Sequence, residues 1–186
     1  KEVKGDLSDI SYNHVEAVLD EITDPKPRSR LDLPGNLIFI KNRNFSEFRK
    51  DSEEKIEPFS YRVPAKGKKT IQEIGWKFEL VSFKKEENIA FPEGRFEEYV
   101  DLEKISEPLQ IRNRCEGDKF VPLGMKKKKK LKDFFIDEKI PHYRRNKVPI
   151  LCDKKGIVWI VGFRLDNRYK VHDNTTHILK IKAEKI

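Results

Sequence analysis

The sequence is poor in the residues from which reactive sites are assembled. Its two cysteines, Cys115 and Cys152, are too few for a disulfide scaffold and lie in no Cys-x-x-Cys spacing, so they are expected to be reduced thiols of a cytosolic chain. The four histidines fall in unrelated segments, and none of the nine glycines is adjacent to another. The patterns GxxxxGK[ST], GxGxxG and HExxH are missing, and no self-contained active site is expected. Long hydrophobic runs are missing too. The longest, Ile157 to Phe163 "IVWIVGF", is far below the roughly 18 residues that a membrane span needs and suits a buried strand. "KEVKGDLSDI" at the start has no apolar stretch of a secretory signal, and the only methionine is Met125. The chain therefore reads as a cytoplasmic piece of a longer protein.

What the sequence has in abundance is charge, and the charge is uneven. The net value is +8. Residues 109–186 hold 21 Lys and Arg against nine Asp and Glu, while residues 1–108 hold 19 against 23. A surface that meets a polyanion is expected to look like this, because each phosphate neutralised by Lys or Arg releases condensed counterions. A membrane surface is the weaker candidate, since the cations are spread over several short elements instead of one amphipathic helix.

Residues 8–22 place Ile10, His14, Val15, Val18, Leu19 and Ile22 at helical spacing behind Ser8 or Ser11 as N-cap, with His14 expected to be a packed histidine. "LDLPGNLIFI" reads as two strands around a Pro34-Gly35-Asn36 turn. The polar stretch 44–60 reads as a boundary between domains 1–55 and 56–186. Beyond it, Trp76, Phe78 and Leu80 alternate with Lys77 and Glu79 as in a strand, and "RFEEYVDLEKI" fits a short helix or a strand. Leu109, Ile111 and Asn113 alternate with Gln110, Arg112 and Arg114, which puts two arginines on a solvated strand face. That face suits a phosphate contact or a plain edge strand.

"LKDFFIDEKI" reads as a helix from Leu131 that Pro141 stops, with Leu131, Phe134 and Phe135 on one side. "VPILCD", "IVWIVGFR", "NRYKV" and "THILKIKAEKI" read as four strands, the first two a hairpin through "KKG". The second domain is thus a sheet with one central helix. Asp118, Asp133, Asp137 and Glu138 read as partners of nearby lysines and not as an acid/base pair.

The most unusual stretch is "GMKKKKKLKDFF". Lys126, Lys127, Lys128, Lys129, Lys130 and Lys132 crowd the start of the helix, where the macrodipole makes each cation cost roughly 0.3 to 1 kcal/mol. With helix N–H groups beside them they are expected to form an anion site; a solvated loop is the bland alternative. Arg144, Arg145, Arg164, Arg168 and Lys170 add to the basic character, and Tyr143 and Tyr169 could stack on a base or pack.

The run from Ile111, "IRNRCEGDKFVPLGMKKKKKLKDFFIDEKIPHYRRNKVPIL", with the later "IVWIVGFRLDNRYKV", resembles the C-terminal region of the bacterial tRNA(Ile)-lysidine synthetase family. The shared pattern is R-x-R-x-x-G-D-x-F-x-P-L-G-M, a basic linker, K-L-K-D-F-F-I-D-x-K-I-P and W-x-V-G-x-R. The resemblance implies an α+β fold: residues 56–186 form a β-rich C-terminal domain of the PheT/TilS type with a central helix, most characteristic over 109–180. Residues 1–55 would end a small, mainly helical tRNA-binding domain.

It also implies an ATP-dependent ligase that joins lysine to the wobble cytidine of tRNA(Ile) with a CAU anticodon. ATP and Mg would be handled by an S-G-G-x-D-S loop that this chain does not contain, so no cofactor is expected here. The chain itself would contact the acceptor-stem side and not be catalytic. Matched cations are Arg112, Arg114, Lys119, Lys129, Lys130, Lys132, Arg145 and Arg164; Lys126, Lys127, Lys128 and Arg144 complete the expected tRNA-binding set. The family also admits a homodimer. The alternative is a general RNA-binding or partner-docking module with no ligase connection.

Overall fold

The computed structural model describes residues 8–35, 37–50, 58–140 and 142–186. Asn36 of the expected turn, Pro141 as helix stop, residues 51–57 of the expected boundary and the side chains of His142 and Tyr143 lie outside the described residues. The chain divides into two units, Lys1–Lys55 and Ile56–Ile186.

In the first unit, helix α1 (Tyr12–Thr23) precedes an antiparallel sheet of β1 (Ser29–Leu33), β2 (Leu37–Asn42) and β3 (Phe45–Lys50). This corrects the expectation of a mainly helical unit. The run Leu37-Ile38-Phe39 is buried and pairs on both sides, and branched or aromatic side chains of this kind suit a pleated surface. His14 is corrected as well. It sits at N3 of α1, where its Nδ1 accepts the Ser11 backbone N–H at 3.0 Å, so it caps the helix and does not pack in a core.

The second unit introduces β4 (Ser60–Val63), β5 (Gly67–Ile71), β6 (Trp76–Lys84), β7 (Glu97–Asp101), β8 (Leu109–Arg112), β9 (Lys119–Phe120) and β10 (Lys129–Lys130). Helices α2 (Leu131–Asp137) and α3 (His142–Arg145) follow, then β11 (Ile150–Asp153), β12 (Gly156–Ile160), β13 (Arg164–Leu165) and β14 (His177–Lys185). One antiparallel sheet has the order β13-β12-β11-β8-β4 and another the order β5-β6-β14-β7. The two share one core, in which Leu109, Ile111, Leu151 and Trp159 meet Phe78, Leu80, Leu179 and Ile181. On the other face of the five-stranded sheet, Ile150, Cys152, Ile157 and Ile160 meet Leu131, Phe134 and Phe135 of α2. The layers are therefore sheet, sheet and helix, a richer arrangement than one sheet with one helix.

A strand buried on both faces explains the continuous apolar run "IVWIV". The register of β11 against β12 shifts between Leu151 and Cys152, so Val158 is an extra residue in the ladder. The sequence hairpin through Lys154 and Lys155 is present. The expected strand at "NRYKV" is not: Asp166 caps a turn of 3-10 helix at Asn167–Tyr169 by accepting the Arg168 N–H.

Helix α2 ends before Pro141 for a local reason. Lys139 takes a left-handed conformation at φ 55°. The Ile140 N–H then donates to Phe135 O at 2.9 Å and the Lys139 N–H to Ile136 O at 3.0 Å, the two bonds of a Schellman motif. Ile140 is buried beside Phe135.

Candidate nucleic-acid interface

The expected cations fall into two groups, and Asp118 stands between them. Gly117 takes φ 83°, a left-handed turn that suits glycine. It brings the Asp118 carboxylate back onto Arg112, with Nη1 to Oδ2 and Nη2 to Oδ1 both at 2.8 Å. The same carboxylate accepts the Cys115 N–H at 2.8 Å, and Arg112 also donates to Asn113 O at 2.9 Å. This two-pronged ion pair holds the Arg112 guanidinium charged well above its ordinary range.

Arg112 is thus occupied internally, and the solvated edge strand expected for it is corrected. Strand β8 lies between β11 and β4 and is therefore an interior strand of its sheet. Arg114 is half-buried and donates to Asn146 Oδ1 at 2.7 Å; Arg145 donates to Ile140 O at 2.9 Å. Both brace the segment around α3.

The lysine run is divided by the register of a two-residue ladder. Lys129 pairs with Phe120, and Lys130 with Lys119. Successive side chains on a strand alternate faces, so Lys129 follows Phe120 toward the α2 core, and its Nζ meets the Asp137 carboxylate. Lys130 and Lys119 point the other way, and both are exposed. Directly opposed like charges destabilise an antiparallel pair. Beside them Lys126, Lys127, Lys128 and Lys132 are exposed.

The expected anion site at the N-terminus of α2 has one amide fewer than a free helix start. The helix has seven residues, and its first N–H, on Leu131, donates to Asp118 O at 2.9 Å. Asp133 in the first turn offsets part of the conflict between lysines and dipole. The opposed lysines of the ladder lie directly before this helix start.

The remaining expected cations lie outside this ladder. Arg144 is exposed on α3. Arg164 on β13 lies 4.0 Å from Glu138, and its charge also acts on Glu98, whose carboxyl pKa burial raises. Arg168 is held by the fully buried Asp166 through Nε at 3.0 Å and Nη2 at 2.7 Å. Tyr169 is packed in the core and donates to Asp153 Oδ1 at 2.8 Å, so it does not stack on a base.

Sequence reasoning missed the brace on the incoming side of the lysine run. Val121 N–H donates to Asp166 Oδ2 at 3.0 Å, and Gly124 N–H donates to Asn167 Oδ1 at 3.2 Å. The signal for it is "DN" directly after the β13 residues, at the junction between the expected strands "IVWIVGFR" and "NRYKV".

Residues 109–182 match the profile of a family described as the TilS substrate C-terminal domain. The match starts with β8 and ends within β14, so it contains the whole basic ladder. These residues belong to the TilS substrate C-terminal domain family. Relatives extend the likeness to nearly the whole chain. The tRNA(Ile)-lysidine synthase of Caldanaerobacter subterraneus subsp. tengcongensis is 37% identical over 183 residues, which is 98% of this chain and 39% of that protein. That of Dehalococcoides mccartyi is 33% identical over 187 residues, again 98% and 39%. The chain thus spans about two-fifths of the length of these relatives. A crystal structure of a TilS C-terminal domain superimposes with a TM-score of 0.59 over 70% of this chain and 98% of that one, at 24% identity. It supports the α+β, β-rich fold of the TilS C-terminal domain and nothing finer.

The described residues contain no group of three or more His, Cys, Asp or Glu side chains that could hold a metal ion. Among them, no helix is long and apolar enough to cross a membrane.

Proposed function

We propose that this chain is the tRNA-binding, C-terminal portion of a tRNA(Ile)-lysidine synthase, working in the cytoplasm. In this reading it grips the acceptor-stem side of tRNA(Ile) with a CAU anticodon. ATP, Mg and the ligation of lysine to the wobble cytidine belong to the rest of the protein, and this portion is not catalytic. The observation that carries the reading is Lys119 opposite Lys130, both exposed, beside Lys126, Lys127, Lys128 and Lys132. A fold gains nothing from opposing two lysines on one face of a two-residue ladder, whereas a phosphate between them turns the repulsion into two charge-assisted hydrogen bonds.

Lysines here position the RNA and do not read its sequence. The test is a salt titration of binding to this tRNA. About four to six phosphate contacts give a log–log slope of roughly −3 to −5. Binding that is absent at low salt, or indifferent to salt, contradicts the reading.

A further inference from the structure

The loop that presents the lysines begins with two exposed apolar side chains, Leu123 at 38% and Met125 at 49% exposure. Single exposed apolar residues are ordinary on a protein surface. These two differ in being held on a rigid turn. Met125 N–H donates to Pro122 O at 2.8 Å, and Gly124 takes φ 86°, the left-handed value that the third position of a type II turn requires. The Leu123 N–H donates to Leu165 O at 2.9 Å and the Gly124 N–H to Asn167 Oδ1 at 3.2 Å, so the turn is tied to β13 and the 3-10 turn after it. Lys126, Lys127 and Lys128 follow without a break.

A partner that meets this loop must satisfy cations and apolar groups within a few residues of each other. Phosphate and ribose are polar, and the edges of paired bases are too. The flat face of a nucleobase is the apolar surface an RNA can offer, and stacking hides it except at a duplex end or an unpaired nucleotide. Leu and Met are among the residues that proteins insert against base steps. We propose that Leu123 and Met125 form an apolar wedge that packs on an exposed nucleobase face while Lys126, Lys127 and Lys128 hold the phosphates beside it. The inference rests on the basic loop being an RNA site and adds what part of the RNA it selects.

The test uses the full 186-residue chain and three RNAs with the same stem: one blunt at one end, one with an unpaired 3′ tail, and one closed at both ends by ethylene-glycol linkers. The expected result is binding to an open-ended RNA about tenfold tighter than to the closed one, about 1.4 kcal/mol. Tightest binding to the blunt RNA identifies the terminal base pair, and tightest binding to the tailed RNA identifies an unpaired base. Leu123→Ser with Met125→Ser removes the preference and leaves the salt dependence in place; both side chains are exposed, so the fold tolerates the change. Equal binding of all three RNAs that is lost with Lys119→Ser and Lys130→Ser overturns the wedge alone, as does a preference that survives the double serine variant. Binding to none of them overturns the basic site and the wedge together.

Discussion

Asp118 and Lys119 are neighbours in the chain and belong to opposite regimes. The Arg112–Asp118 pair is enclosed, with side-chain exposures of 18% and 12%, and both terminal nitrogens of the guanidinium have acceptors. One residue further on, Lys119 stands opposite Lys130 on the ladder, and both are exposed. Both cations lie in the segment that makes this chain basic. The first holds the loop in shape, and only the second is available to an outside anion. Net charge alone does not separate the two roles; the position of a carboxylate does.

Breaking the enclosed region is expected to have the largest effect. Asp118→Ala leaves the Arg112 guanidinium half-buried without its partner and the Cys115 N–H without an acceptor, which costs about 2 to 3 kcal/mol after allowing for partial exposure. Chemical denaturation measures this loss, and RNA affinity falls with it. Breaking the open region acts on binding only. Lys119→Ser with Lys130→Ser makes the log–log salt slope shallower by about 1.5.

A smaller effect sharpens the contrast at Glu98. Burial raises its carboxyl pKa, partly countered by the Tyr99 N–H and the Arg164 charge. A carboxyl that binds its proton more tightly when folded favours the fold at low pH, and that contribution is lost as pH rises through the raised value. Glu98→Gln is therefore expected to add about 0.5 kcal/mol at neutral pH and nothing in acid, read from unfolding curves at the two pH values. Smallest of all is the thiol chemistry. Cys115 is exposed and reacts with a thiol reagent, whereas Cys152, its pKa pushed up to about 12 by burial, stays silent until the protein unfolds.

The parts of this architecture with a strong local signal were legible in the sequence. Alternation gave Trp76, Phe78 and Leu80 as one buried face, and the β11–β12 hairpin follows from two apolar runs around Lys154-Lys155-Gly156. The start of α2 at Leu131 was legible too. Arg112 is not legible because its strand lies inside the sheet and its carboxylate partner comes from a turn whose geometry depends on Gly117. The division of the lysines was hidden for a similar reason: it depends on a two-residue ladder between Lys119–Phe120 and Lys129–Lys130, too short to leave a periodic trace. Nothing in the local sequence pattern singles out Asp166, yet it is fully buried and binds both Arg168 and the Val121 N–H that leads into the lysine loop.

The most direct measurement compares stability and tRNA affinity in one protein, the Lys119→Ser/Lys130→Ser variant. Removing two opposed like charges is expected to leave the folded state as stable or a few tenths of a kcal/mol more stable, while affinity at moderate salt drops about tenfold or more. A variant that is less stable, or one that binds tRNA(Ile) as tightly as the parent chain, would contradict the claim that these lysines await a phosphate.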